Sequence, residues 1–347
     1  MAISFPLALR NEQSEMKGVA ELHVLSGMRP TGKLHIGHLI VLENWIKLQN
    51  DGNKTFFFVA DWHMLTTGYE NVSNLSELTT TLVREYLAVG LDPKKSVIFV
   101  QSAIKEHAEL YLLLSMIVPL GRLERVPTYK EQLRELKGRN ISTLGFLGYP
   151  VLQAADILMY NADGVPVSED QAFHLELTRE IARRFNSLYG QVFKEPKTLL
   201  TPKLLGTDGR KMSKSYGNTI NIDTNMKEIE KTVMPMKTDP ARKRRTDPGT
   251  PEKCNVWNYH LAFETPKEKL DEIHYGCTHA TIGCVDCKRV LLGNMKKRLE
   301  PIWERIEYFK THPKDVEDVI LEGNKRARNT AQETMKKVKS AMNLVQY

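Results

Sequence analysis

The sequence predicts an α/β protein, a doubly wound parallel sheet followed by a C-terminal α-helical domain. Apolar β-rich runs alternate with helix-period segments through the first two thirds. After about Ile222 the strand signals fade into a basic, helix-rich region. Between the first strand and the first helix the chain turns through Gly27, Pro30 and Gly32.

The elements follow in order. "LHVLSG" (22–27) reads as a strand and Gly37 to Leu48 as a helix. "TFFFVAD" (55–61) has the continuous apolar character of a fully buried strand. It precedes an amphipathic helix from about Leu75 to Val89. "SVIFVQS" (96–102) is the next strand. "GVPV" (164–167) leads into a helix whose start, Ser168 with Gln171 three on, has capping-box spacing. A boundary near 220 divides residues 22–220 from 221–347, and residues 1–21 are expected to lie outside the fold. No internal repeat or low-complexity tract stands out.

The length of 347 residues allows two domains, and 41% hydrophobic with 26% charged residues is ordinary for a soluble protein. No apolar run approaches the roughly 18 residues of a membrane span. "MAISFPLALRNEQSE" lacks a basic leader and a small-residue cleavage site, so a cytoplasmic protein with no membrane partner is expected. The net charge of +7 is uneven: residues 221–347 hold 24 Lys plus Arg against 19 Asp plus Glu, a surplus of 5. Arg242 to Arg245 and Lys296 to Arg298 are the expected sources of positive potential, either a solvated face or a polyanion surface.

Two motifs carry chemistry. In "GMRPTGKLHIGHL" (27–39) a strand ends and a helix opens at "HIGH" (35–38). A helix N-terminus favours phosphate oxygens. His35 and His38, one turn apart, could donate to a triphosphate, and Gly37 leaves room for an adenine ring. "GTDGRKMSKS" (206–215) is a glycine-bearing loop ending in Lys211 and Lys214, whose ammonium groups suit departing pyrophosphate.

Together, in this order, the motifs resemble the HIGH and KMSKS signatures of class I aminoacyl-tRNA synthetases. "YPVLQAADILMYNADGVPVSEDQAFHLELTREIARRFN" (149–186) resembles the substrate segment of bacterial tryptophanyl-tRNA synthetases. "EYLAVGLDP" (85–93) and "LERVPTYKEQ" (123–132) extend the likeness over most of the chain.

The resemblance implies a Rossmann-like catalytic domain at 22–220, a helical anticodon-binding domain at 221–347, and a homodimer. It implies ATP and L-tryptophan as substrates, Mg²⁺ on the phosphates and tRNA(Trp) as partner. His35, His38, Lys211 and Lys214 would be catalytic. ATP would meet Arg29, Pro30, Thr31, Gly37, His38, Leu204 and the loop residues Lys211, Met212, Ser213, Lys214 and Ser215. Asp170 would hold the ribose beside Ser168 and Glu169. Tryptophan would meet His63, Tyr149, Gln153, Val165, Val167 and Gln171, with Asp156 accepting the indole N–H.

The residues make their own case for Asp156, because a carboxylate in the apolar helix "AADIL" needs a donor: a substrate N–H, a buried arginine or backbone amides. Four positions depart from the commonest bacterial pattern. Gln153 replaces an apolar methionine, Ser168 a glycine and Arg29 a glutamine. Gln132 replaces a lysine, leaving Lys130 as the substitute.

All four cysteines, Cys254, Cys277, Cys284 and Cys287, fall in the spacing C-x22-C-x6-C-x2-C. A reducing cytoplasm disfavours disulfides, which leaves metal. With one CxxC pair and His274 and His279 nearby, spacing favours Zn²⁺. The resemblance instead implies a [4Fe–4S] cluster, which a subset of the family holds with this pattern. Its expected role is structural, fixing a loop that presents Lys288 and Arg289 to the anticodon.

Overall fold

The computed structural model describes residues 21–127, 142–168, 171–201 and 203–346. Residues 1–20, Lys130, Gln132, Glu169 and Asp170 lie outside the described residues, as does the side chain of Ser215.

Five parallel strands form one sheet: β1 (His23–Met28), β2 (Lys54–Val59), β3 (Ser96–Val100), β4 (Gly164–Val167) and β5 (Lys197–Leu200), in the order β3-β2-β1-β4-β5. β1 pairs with β2 along its length, from His23↔Lys54 to Met28↔Val59, but with β4 only at Val24↔Gly164. The strand order reverses between β1 and β4, where an open α/β sheet leaves a crevice at the carboxyl ends of its strands.

Both faces of the sheet are covered, which is why "TFFFV" has no polar alternation. Phe57 and Val59 point to one apolar layer with helices α1 (Ile36–Asn50) and α3 (Leu75–Val89), and Trp45 stacks on Phe57 at 4.5 Å between ring centres. Phe56 and Phe58 point to the other layer, built with α4 (Glu106–Ser115), α6 (Leu144–Met159) and α7 (Ala172–Tyr189). Short helices α2 (Asp61–Gly68) and α5 (Leu120–Leu123) complete this part. Beyond β5 the described residues form no further named strand. They form α8 (Met226–Val233), α9 (Asn255–Ala262), α10 (Lys267–Thr278), α11 (Cys284–Thr311) and α12 (Pro313–Ala341).

The last helix returns to the sheet. Asn324 Oδ1 on α12 accepts from the Val100 amide at 2.9 Å, and a Cβ added at Gly323 would overlap the Ile98 carbonyl oxygen. α12 thereby closes the exposed edge of β3.

Two expectations are corrected, and one strand was not foreseen. The buried strand ends at Val59, because Asp61 opens α2. The capping box at Ser168 does not form: α7 begins at Ala172, and Gln171 occupies the cap with no side-chain bond. Its amide bonds the Ser168 carbonyl at 2.9 Å instead. β5 carried no recognised strand signal, and its residues are only partly buried.

Candidate active site

A cavity of about 700 Å³ sits at the carboxyl ends of β1 and β4. Of the residues expected at ATP, Arg29, His35, Gly37, His38, Ser168, Leu204, Lys211 and Met212 line it. So do all seven expected at tryptophan: His63, Tyr149, Gln153, Asp156, Val165, Val167 and Gln171. Pro30, Thr31, Ser213 and Lys214 are not among its lining residues, although Lys214 Nζ lies 3.4 Å from the Thr31 carbonyl oxygen.

The HIGH turn caps its own helix. The Gly37 amide donates to His35 Nδ1 at 3.2 Å, and the His35 amide donates to His38 Nδ1 at 3.2 Å. This is a capping box in which two imidazoles replace the usual side chains. The rings stack at 3.7 Å between centres. Because each Nδ1 accepts, the neutral rings carry their hydrogen on Nε2 and can donate from there. Burial, then the neighbouring Lys214 charge, lowers the His35 pKa to about 4. Burial, then His35 and Lys214, lowers that of His38 to about 3. Both are therefore uncharged donors at neutral pH. The place of a Gly37 side chain is crowded by the His35 ring and Met212 Sδ, each 3.1 Å from where a Cβ would stand.

The turn is stitched to the strand-like segment after the KMSKS loop: the Ile36 amide bonds the Ile220 carbonyl at 2.9 Å and the Ile222 amide bonds the Leu34 carbonyl at 3.0 Å. Buried Glu85 accepts from the Leu34 amide at 3.0 Å, and burial pushes its carboxyl up to about 7. The KMSKS loop itself is organised by Asn218, which is 2% exposed. Its Oδ1 accepts from the Ser213 amide at 2.8 Å, and its Nδ2 donates to Asp208 Oδ1 at 2.8 Å and the Lys211 carbonyl at 3.0 Å. Asn255 Nδ2 and the Tyr259 hydroxyl, both on α9, donate to the carbonyls of Gly206 and Leu205 at 2.8 Å each.

Asp156, on α6, is 1% exposed, and among the described residues neither an arginine nor a backbone amide donates to it. His63, Gln101 and His107 donate to it instead. Burial pushes its carboxyl up, but the hydrogen bonds from His107 and His63 hold it below the usual carboxylate range. Nearby, the Tyr149 hydroxyl and His174 Nε2 are 3.2 Å apart. Gln101, His107, His174 and Asn218 were missed in the sequence. The one legible signal was for Gln101, a polar residue directly after β3 at the carboxyl end of the sheet.

The four cysteines are free and half-buried, and all four line one small apolar cavity of about 30 Å³. Among the described residues no group of three or more His, Cys, Asp or Glu side chains is placed to hold a metal ion. Neither His274 nor His279 lines this cavity, and His274 Nε2 lies 3.0 Å from Glu252.

Two expectations about the basic surface are corrected here. Lys288 is 6% exposed and donates to the carbonyls of Met234 and Met236 at 2.6 and 2.7 Å, so it ties the backbone together and presents no charge. Arg242 is also buried, with Nη1 3.7 Å from Cys277 Sγ and Nη2 donating to the Ile282 carbonyl at 2.7 Å. Arg289, Lys243, Arg244 and Arg245 remain exposed.

A switch-point cavity that joins a self-capped helix start and a lysine loop to a buried carboxylate defines an enzyme that activates a small molecule with a nucleotide. Comparisons with known proteins specify which. A family model described as tRNA synthetases class I (W and Y) matches residues 17–300, and the chain belongs to that family. The tryptophan–tRNA ligase of Thermotoga maritima is 63% identical over 327 residues, covering 93% of this chain and all of that protein. The tryptophan–tRNA ligase of Aquifex aeolicus is 45% identical, covering 93% of this chain and all of its own. Tryptophanyl-tRNA synthetase from Campylobacter jejuni, solved with ADP and tryptophan, matches with a TM-score of 0.81 at 31% identity, covering 93% of this chain and all of that one. Among the described residues no helix is long and apolar enough to cross a membrane.

Proposed function

We infer that the protein is a tryptophan–tRNA ligase. It activates L-tryptophan with ATP to tryptophanyl-adenylate and pyrophosphate, then transfers tryptophan to tRNA(Trp). The observation that carries this is the single cavity that both signature segments share with Asp156. The tryptophan carboxylate attacks the α-phosphorus in line, and positioning with electrostatic stabilisation supplies the catalysis. His35 and His38 donate from Nε2 to the phosphates. Lys211 and Lys214 follow the charge onto pyrophosphate, and Mg²⁺ accompanies the phosphates. Asp156 accepts the indole N–H, Tyr149 and Gln171 meet the amino acid, and Ser168, Glu169 and Asp170 take the ribose. Pyrophosphate exchange tests the reading: tryptophan should support it and tyrosine should not. Exchange with tyrosine alone would overturn it.

In this reading residues 22–220 are the catalytic part and residues 221–347 read the tRNA, with exposed Lys243, Arg244, Arg245 and Arg289 available to phosphates. A cytoplasmic homodimer is part of the same proposal. Leu112 on α4, Met116 at its C-terminal cap, Leu120 on α5 and Leu144 at the start of α6 are 53%, 70%, 59% and 80% exposed, apolar side chains that a second copy would cover. A monomer mass at micromolar concentration would contradict the dimer.

The cysteine site is read as a [4Fe–4S] cluster held by Cys254, Cys277, Cys284 and Cys287. What supports the reading is the chemistry of the lining: four thiols face one cavity beside a buried arginine whose Nε has no hydrogen-bond partner among the described residues, although the thiols are not drawn together as metal ligands. An all-sulfur set of four thiolates is also the usual shell of a [4Fe–4S] cluster. The thiolates would add negative charge beside Arg242, whose Nη1 is already 3.7 Å from Cys277 Sγ, and the cluster would act as a structural clasp. Because Lys288 is buried, the clasp would present Arg289 without it. Anaerobically purified protein should be brown and contain about four irons per chain. Colourless protein with one zinc would overturn the cluster.

A further inference from the structure

Four donor contacts already reach Asp156, and they arrive from different depths. Oδ1 accepts from His107 Nδ1 at 2.5 Å and from Gln101 Nε2 at 2.9 Å. Oδ2 accepts from His63 Nε2 at 2.7 Å and from Gln101 Nε2 at 3.0 Å. A carboxylate offers about four lone-pair sites, so each oxygen is fully used.

Gln101 and His107 are wholly buried and do not line the cavity. His63 does line it, with its side chain 12% exposed. An ionised carboxylate only accepts, so His107 carries its hydrogen on Nδ1. The neutral ring then leaves Nε2 to accept from the Tyr160 hydroxyl at 2.8 Å. Tyr160 is itself buried and stacked on Phe56 of the sheet. The relay from Tyr160 through His107 to Asp156 therefore rests on the rigid core. A ligand N–H coming from the cavity can take only the place His63 holds.

We propose that His107 and Gln101 are positioning residues that aim Asp156 at the cavity for a heteroaromatic N–H, and that His63 is the exchangeable donor holding that place until the N–H arrives. This rests on the reading of Asp156 as the indole acceptor. Selection for the indole nitrogen would then depend on two residues that never touch the substrate. The physical basis is that an indole N–H can take over the place of His63 on Asp156, whereas an analogue without it brings no donor to the site.

The test is pyrophosphate exchange with tryptophan and with its benzothiophene analogue, in which sulfur replaces the N–H. His107→Leu removes the donor on Oδ1. It should raise the tryptophan KM about tenfold to a hundredfold and leave kcat and the ATP KM little changed. The analogue should hardly respond, so the tryptophan-to-analogue ratio falls by a similar factor. His107→Asn keeps a donor nitrogen near the position of Nδ1 and should restore most of the ratio. His63→Ala removes the donor that must be displaced and should raise the ratio. Thermal melts of each variant separate misfolding from mispositioning.

If Asp156→Asn leaves the ratio unchanged, the indole reading itself fails. If Asp156→Asn collapses the ratio while folded His107→Leu and His107→Asn both keep it, only the positioning role fails.

Discussion

Replacing Asp156 by asparagine should remove most tryptophan-dependent pyrophosphate exchange while ATP binding survives. The side chain is 1% exposed and ringed by His63, Gln101 and His107, all of which donate. An asparagine brings its own N–H groups into that ring, so a donor must face a donor. Breaking a buried charged network by changing one partner costs about 3–5 kcal/mol of stability. The indole N–H also loses a charged acceptor, worth about 1.5–3 kcal/mol, or roughly a tenfold to hundredfold rise in KM. Thermal melts and exchange at saturating ATP measure the two terms separately. An unchanged tryptophan KM would take Asp156 out of the substrate site.

His38→Asn should slow activation by about a hundredfold to a thousandfold, the usual cost of one transition-state donor. His38 Nδ1 serves the His35 amide, while its Nε2 is the donor left for phosphate. Asparagine can keep the cap through its oxygen but cannot reach as far as Nε2. Its melting temperature should stay near the parent's while kcat falls. His38→Gln puts the usual capping-box side chain at this position and also has the reach of Nε2, so more activity survives, with a melting temperature near the parent's. Equal kcat for the two variants would show that Nε2 does not have the role assigned here.

The histidines also set a pH dependence. Their pKa values in the fold, about 4 and about 3, lie below the roughly 6.5 of an unfolded histidine. Between those limits the unfolded chain binds more protons. Their contribution to stability therefore falls as pH drops from about 6.5 towards 4, and it is constant above 6.5. Glu85, its carboxyl pushed up to about 7, contributes with the opposite sign below 7. The loss is therefore read as the difference between denaturant melts of the parent and of His38→Asn from pH 5 to 8, which should shrink only on the acid side.

Much of the chemistry was legible in the chain because it is local. The helix start at residues 35–38, the lysine loop and the buried run "TFFFV" each follow from neighbouring residues and from backbone periodicity. The need of Asp156 for a donor was legible too, because an apolar helix cannot solvate a carboxylate. The donor itself was not. His107 and Gln101 lie 49 and 55 positions away and carry no signal of their own beyond the place of Gln101 at a strand end. The expected capping box at Ser168 failed for a similar reason: its spacing was right, but the backbone turns onward and starts α7 at Ala172. Lys288 looked like surface charge, yet it reaches two carbonyls more than 50 residues away.

The sequence alone thus determined strands β1 to β4, helices α1 and α3 and the helix-rich end of the chain, though not β5, and which residue types could handle phosphate and an N–H. The tertiary structure alone decided which polar side chains meet which. Periodicity reports the burial of a face, whereas a hydrogen bond depends on two atoms brought within about 3 Å of each other.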